Sequence, residues 1–257
     1  MQNLLIRTSL VISALLISMT AQNTFAQSSS EGLGTEIPVQ GVFAPKHGFD
    51  DNDNVQIIVD GILPNACYKK SQTLYSVDAL AHTITVQQYA FKDESGSCAD
   101  PANLPEELKM QIPFMADVEV GNLEQGEYTI IYKSLNGEAH KTLFIDKASS
   151  TTIDNLYYAI TTDIYSPSEV SVNSSTIKLV ISGFLNSSCT VIDKLDVQFV
   201  DDTIVILPQV KKTHNYCMPV AKDFVNEVYI KTPPAGRYQV HVRSVNGSAV
   251  NRLFSVK

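Results

Sequence analysis

Four cysteines, five histidines and one dense run of acids are the groups in this 257-residue sequence from which reactive chemistry could be assembled. An enzyme needs a nucleophile beside a base, a carboxylate pair in a cleft, or a metal. His47, His82, His140, His214 and His241 have no partner at ligand spacing. His241 falls on the wet face of a strand and the others in or near loops and strand ends, so all five are expected at the surface. The sequence carries no Gly-x-Ser-x-Gly elbow, His-Glu-x-x-His pair or phosphate loop. No catalytic residue, metal or cofactor is expected, and the chain reads as a non-enzyme.

The acid run is Asp50-Asp51-Asn52-Asp53-Asn54. Crowded oxygen ligands suit calcium, which makes Asp50, Asp51 and Asp53 the alternative metal reading. Against it, the following Gly and distal Glu of a calcium-binding helix–loop–helix are missing, and the matching stretch Glu169 to Ser175 holds one acid. A solvated loop is the expectation.

The cysteines are better placed for crosslinking than for catalysis. Val55-Gln-Ile-Ile-Val-Asp-Gly-Ile-Leu-Pro-Asn-Ala-Cys67 returns 122 residues later as Ile177-Lys-Leu-Val-Ile-Ser-Gly-Phe-Leu-Asn-Ser-Ser-Cys189. Gly126-Glu-Tyr is matched by Gly236-Arg-Tyr, and Leu135-Asn-Gly by Val245-Asn-Gly. A module that was copied had to fold alone first, so the duplication selects Cys67–Cys98 and Cys189–Cys217 among the possible pairings. Each bond closes a loop of about 30 residues and is worth roughly 3–4 kcal/mol on the chain-entropy model. Wide spacing and the lack of Cys-x-x-Cys speak against zinc.

The elements that hold these residues alternate with period two. Strands are expected at 38–43, 55–61, 71–78, 83–91, 112–120, 126–133 and 139–145, and again at 160–165, 177–183, 194–200, 203–210, 224–231, 236–243 and 249–256. Seven short strands per copy predict an all-β chain of two tandem immunoglobulin-like β-sandwiches, each with one disulfide. Tyr238, Val240 and Val242 form a dry face against wet Gln239, His241 and Arg243. Tyr128 and Tyr238, each near a strand start, suit a tyrosine corner. The first copy holds nine extra residues after its second cysteine, around Ala99 to Met110, where Leu104, Leu108 and Met110 could form one amphipathic helical turn.

Residues 1–26 read as an export leader. Arg7 is its sole charge, an apolar run spans Leu10 to Ile17, and Thr24-Phe25-Ala26 sets small residues for cleavage before Gln27. The apolar run of about ten residues is well short of the roughly 20 that span a bilayer. The expected organisation is 1–26 leader, 27–36 flexible N-terminal segment, 37–147 first sandwich, 148–156 linker and 157–257 second sandwich. The product is expected in the periplasm, at the cell surface or secreted. A net charge of −8 without a basic stripe argues against nucleic acid, and no membrane span is expected.

Gly61-Ile-Leu-Pro-Asn-Ala-Cys-Tyr68 resembles a group of secreted bacterial immunoglobulin- or fibronectin-like modules. They carry Gly-x-Leu-Pro-x-x-Cys, a second Cys about 30 residues on, and a Gly-x-Tyr-x-Val strand near the end. The likeness extends over both copies, with Asn186 standing where the pattern has Pro. It implies a sandwich fold in extracytoplasmic proteins and no activity.

Two functional readings follow. The first is a non-enzymatic interaction or structural module whose partner is another extracytoplasmic protein, met through sheet edges, disulfide-proximal loops or the interdomain groove. The alternative is an inhibitor of an extracytoplasmic protease, with the braced turn Leu63-Pro64-Asn65-Ala66 as its binding loop. Carbohydrate recognition is weakened because the sequence has no tryptophan. Tyr157, Tyr158, Tyr68, Tyr75 and Tyr216 are instead expected mostly in core or interdomain packing.

Overall fold

The computed structural model describes residues 34–257 apart from 153, 155 and 156. The leader at 1–26 and most of the segment at 27–36 lie outside the described residues. The last part of that segment is not loose: Thr35–Ile37 is a strand whose residues pair with Gln88 to Ala90. Ile37 is buried against Leu63 and Ala90, which fixes the chain there.

Strands β1 (Thr35–Ile37), β2 (Val39–Phe43), β3 (Phe49–Asp50), β4 (Val55–Leu63), β5 (Tyr68–Asp78), β6 (Thr83–Lys92), β7 (Ile112–Gly121), β8 (Gly126–Ser134) and β9 (Gly137–Asp146) build the first sandwich. Strands β10 (Ile160–Tyr165), β11 (Glu169–Val170), β12 (Thr176–Leu185), β13 (Thr190–Val200), β14 (Thr203–Lys212), β15 (Lys222–Lys231), β16 (Gly236–Arg243) and β17 (Ala249–Val256) build the second. Sheet β2-β4-β7 faces the larger sheet of β1, β5, β6, β8, β9 and β3, and sheet β10-β12-β15 faces β13-β14-β16-β17-β11. The chain is therefore all-β, with two tandem β-sandwiches.

Alternation places one row of each strand in a core. Ile57 and Val59 of β4 meet Ile84, Val86, Tyr128, Ile130 and Leu143. Ile177, Leu179 and Ile181 of β12 meet Ile204, Ile206, Val240, Val242 and Phe254. The Tyr238 hydroxyl donates to the Pro234 carbonyl at 3.0 Å, and Tyr128 shares a hydrogen bond with the Glu124 backbone. Both tyrosines thus tie a strand start to backbone four residues upstream.

The larger sheets are mixed. In the second sandwich β14 runs parallel to β16, and β6 runs parallel to β8 in the first. From β5 to β8 and from β13 to β16 the direction reverses at each connection, so β6 and β8, and β14 and β16, point the same way. The hairpin β13–β14 seats its second strand, not its first, beside β16. A sheet of purely antiparallel immunoglobulin type needs the opposite seating. Asp201, at φ +53°, makes the two-residue turn of that hairpin.

A 3₁₀ turn at Gly96–Cys98 carries the second cysteine, and the extra residues after it form two more, at Pro101–Asn103 and Glu106–Leu108, rather than one amphipathic turn. Pro101 and Pro105 lack the N–H that a continuing helix needs. Leu104 is buried and Met110 exposed.

The repeated motif glycine has a steric cause in both copies. A Cβ on Gly61 would stand 2.3 Å from the Phe114 ring, and one on Gly183 would stand 2.0 Å from the Ile160 carbonyl oxygen. The second contact is with backbone, which cannot rotate away. Gly183→Ala is therefore expected to cost about 2–3 kcal/mol, the upper range for overpacking, read as a lower urea midpoint at unchanged slope.

Candidate functional site

The side chains with chemical capacity gather where the two sandwiches touch. Residues 33–257 form one compact unit. The outward row of β4, Gln56, Ile58 and Asp60, is buried, and so is the outward row of β16, Gln239, His241 and Arg243. These rows belong to different sandwiches and meet each other. Phe43, Ile58 and Met115 of the first pack with Leu253 of the second. The expectation of a wet face at 239, 241 and 243 is corrected: the face is polar because it meets a polar face, not because it meets water.

Charge pairs cross this junction at several points. Arg237 grips Asp60 with two hydrogen bonds, Nε to Oδ2 and Nη2 to Oδ1, both 2.9 Å. Arg243 pairs with Asp53 and, at 3.2 Å, with Asp154, and lies 5.9 Å from the Tyr158 ring centre. Lys141 donates to Asp202 at 2.6 Å, and Lys46 lies 3.4 Å from Asp201. Ion pairs out of water return little net stability, because each charge gives up hydration. They do penalise any other seating of the two surfaces.

Burial alone draws the Arg243 guanidinium down, but Asp53 and Asp154 more than reverse this and hold its pKa above the usual arginine value. Beside it, burial pushes the His241 imidazole down to about 4, helped by the Arg243 charge and opposed by its hydrogen bond to Asn251. His241 is 4% exposed, not a surface histidine. Its Nδ1 lies 2.9 Å from Asn251 Oδ1, which also accepts from Gln239 Nε2 at 2.8 Å. Asn251 Nδ2 in turn donates to Gln56 Oε1 of the first sandwich at 3.4 Å. A cavity of about 120 Å³ lies here, lined in part by Phe49, Asp53, Tyr158, Leu207, His241 and Arg243. Of these groups, Asp53 is committed to Arg243, which Asp154 shares, and the His241 ring nitrogen Nδ1 to Asn251.

The acid run has a structural use. Asp53 is 3% exposed, so the expectation of a solvated loop fails at this residue. Its Oδ2 accepts the Asp50 N–H at 3.1 Å while Oδ1 faces Arg243. Asp51 accepts the Ala148 N–H at 2.9 Å. Among the described residues, no group of three or more His, Cys, Asp or Glu could hold a metal ion. The stretch expected as a linker is also tied down: Asp154 accepts from the Asn246 and Gly247 N–H groups and reaches Arg243.

The remaining histidines have simpler positions. His47 stacks on Phe144 and His82 on Tyr128, with ring centres 4.6 and 4.7 Å apart, while His140 and His214 are exposed.

Disulfides join Cys67 to Cys98 and Cys189 to Cys217, with Cα atoms 5.6 and 5.4 Å apart. At the end of β4, Leu63 is buried with Ile37 and Ala90, and in the turn that follows only Pro64 is exposed. Asn65 closes the turn on itself by accepting the Cys67 and Tyr68 N–H groups, and the Ala66 N–H donates to Leu108. That last bond ties the turn to the extra residues of the first copy.

The second copy has a shorter loop at the same place, and its apolar side chains face outward. Tyr216 is 97% exposed, Met218 66% and Val220 52%. The loop is nonetheless anchored: Cys217 is bonded to Cys189, the Ser188 N–H donates to the Met218 carbonyl, and the Met218 N–H returns to Ser188 Oγ. Tyr216 and Tyr157 (84% exposed) were expected in packing and are instead on the surface. Only Cys217 pointed to this loop in the sequence, since period-two reasoning gives no direction to side chains outside strands.

No curated protein and no solved structure matches this chain. Residues 179–256, most of the second sandwich, match the ORF11 beta-sandwich domain family.

Proposed function

We propose that the chain is a non-enzymatic, extracytoplasmic interaction module that offers the Cys217 loop to a protein partner. One observation carries this reading: Tyr216, Met218 and Val220 are exposed together on a loop held by a disulfide and by backbone hydrogen bonds. Exposed apolar side chains on an ordered loop cost little conformational entropy when they bind, and tyrosine and methionine are enriched at interfaces. The disulfides suit an oxidising compartment. The groups that might have done chemistry are already engaged, with Asp53, Asp60, Arg237 and Arg243 joining the sandwiches. An inhibitor role for Leu63 to Ala66 is disfavoured by the buried Leu63.

The test is capture from native envelope extract with the purified protein beside Tyr216→Ser/Met218→Ser. These positions are exposed, so the variant is expected to unfold like the parent. At least a tenfold loss of one captured protein is expected. Identical capture by both, or hydrolysis by the purified protein across a substrate panel, would overturn the reading.

A further inference from the structure

The internal duplication gives each face of one sandwich a twin on the other, and the twins have different fates. Gly61 pairs with Phe114 as Gly183 pairs with Phe224, which sets the equivalence of β4-β7 with β12-β15. Phe43 pairs with Ile58 as Tyr165 pairs with Val180, which adds β2 and β10. The twins of the junction residues Phe43, Ile58 and Met115 are thus Tyr165, Val180 and Val225. Phe43 is 5% exposed against 61% for its twin Tyr165, Ile58 0% against a half-buried Val180, and the half-buried Met115 stands against Val225 at 67%. Tyr229, at the position of Glu119, adds a further ring at 62% exposure. The face that the first sandwich buries, the second leaves open and more aromatic.

What covers it can be argued from the junction. There the covering surface is held by Arg237, Arg243 and Leu253. The same positions of the first sandwich are Glu127, Lys133 and Thr142. Lys133 is already paired with Glu36 at 3.0 Å. A head-to-tail array that repeats the internal contact therefore lacks its gripping residues. The open face is instead suited to itself. Its charges are balanced, with Lys178 on Glu227 at 2.5 Å and the Tyr229 hydroxyl donating to Glu227 at 2.7 Å. Across a two-fold axis each lysine can exchange its glutamate for that of the other copy while the apolar side chains meet.

We propose that the outer face of β10-β12-β15 is a homodimer surface, occupied by the same face of a second copy of this chain. This goes beyond the Cys217-loop reading and does not depend on it. Three strands about 4.8 Å apart and roughly 30 Å long give a footprint of about 400 Å² on each copy. The roughly 800 Å² buried in total is less than the ~1,000 Å² of a stable specific interface, so the dimer is a weak one, dissociating at tens of micromolar or above. The contact is isologous and closes at two copies.

Sedimentation equilibrium of the purified protein from about 1 to 200 µM tests this. The mass is expected to rise from monomer towards dimer and stop there. Val225→Lys and Tyr165→Ser change exposed side chains, and each is expected to weaken association at least tenfold with an unchanged unfolding midpoint. Thr142→Lys, on the twin of the covering surface, is expected to leave it intact. A monomer throughout, an open series of higher oligomers, or a dimer indifferent to Val225→Lys and Tyr165→Ser would each overturn the proposal.

Discussion

Arg243→Met should destabilise the protein by about 3–5 kcal/mol, the cost of leaving a buried charge without its partner. Arg243 is 7% exposed and Asp53 3%, so water cannot replace the lost cation around the stranded carboxylate. Asp154 fares better, since the Asn246 and Gly247 N–H groups still donate to it. The double variant Arg243→Met/Asp53→Asn removes both charges and keeps the acceptor for the Asp50 N–H. It should therefore be more stable than the sum of the single changes implies, by 1 kcal/mol or more. Urea unfolding of the three variants measures this; strict additivity would show that the pair does not interact.

Lowering the pH should act on the same junction through His241. Its folded pKa of about 4 lies below the ordinary value of 6.5 because burial disfavours the imidazolium. The unfolded chain takes up this proton first. The stability gained by keeping the ring neutral is complete above about pH 6.5 and is lost as pH falls towards 4. At 1.36 kcal/mol per unit the loss amounts to about 3 kcal/mol. His241→Gln does not titrate there, so between pH 6.5 and 4 its unfolding free energy should fall less steeply than that of the parent. Carboxylates common to both proteins cancel in the difference. Parallel curves would mean that the imidazole is solvated in the folded state.

The strands were legible in the sequence because each needs only local alternation. Ile177, Leu179 and Ile181, or Tyr238, Val240 and Val242, announce a buried row whatever lies on the other side. The disulfide partners were legible from the duplication. The junction was not, because a polar row reads alike whether it faces water or another polar surface. Gln239, His241 and Arg243 were assigned to solvent for that reason. A signal was nonetheless present where the copies differ. Asp53 and Asp60 stand opposite Ser175 and Ser182, and Arg237 and Arg243 opposite Glu127 and Lys133. Acids unique to one copy and arginines unique to the other mark residues selected for contact between them. The exposure of Tyr216, Met218 and Val220 had no such signature, since loops lack a period.

Calorimetry of the purified protein bears most directly on the junction. If the buried contacts from Asp53, Asp60 and Gln56 to β16 and β17 make the two sandwiches one cooperative body, heating should give a single transition with calorimetric and van't Hoff enthalpies equal. Two resolved transitions, or a calorimetric enthalpy near twice the van't Hoff value, would show that the sandwiches unfold independently.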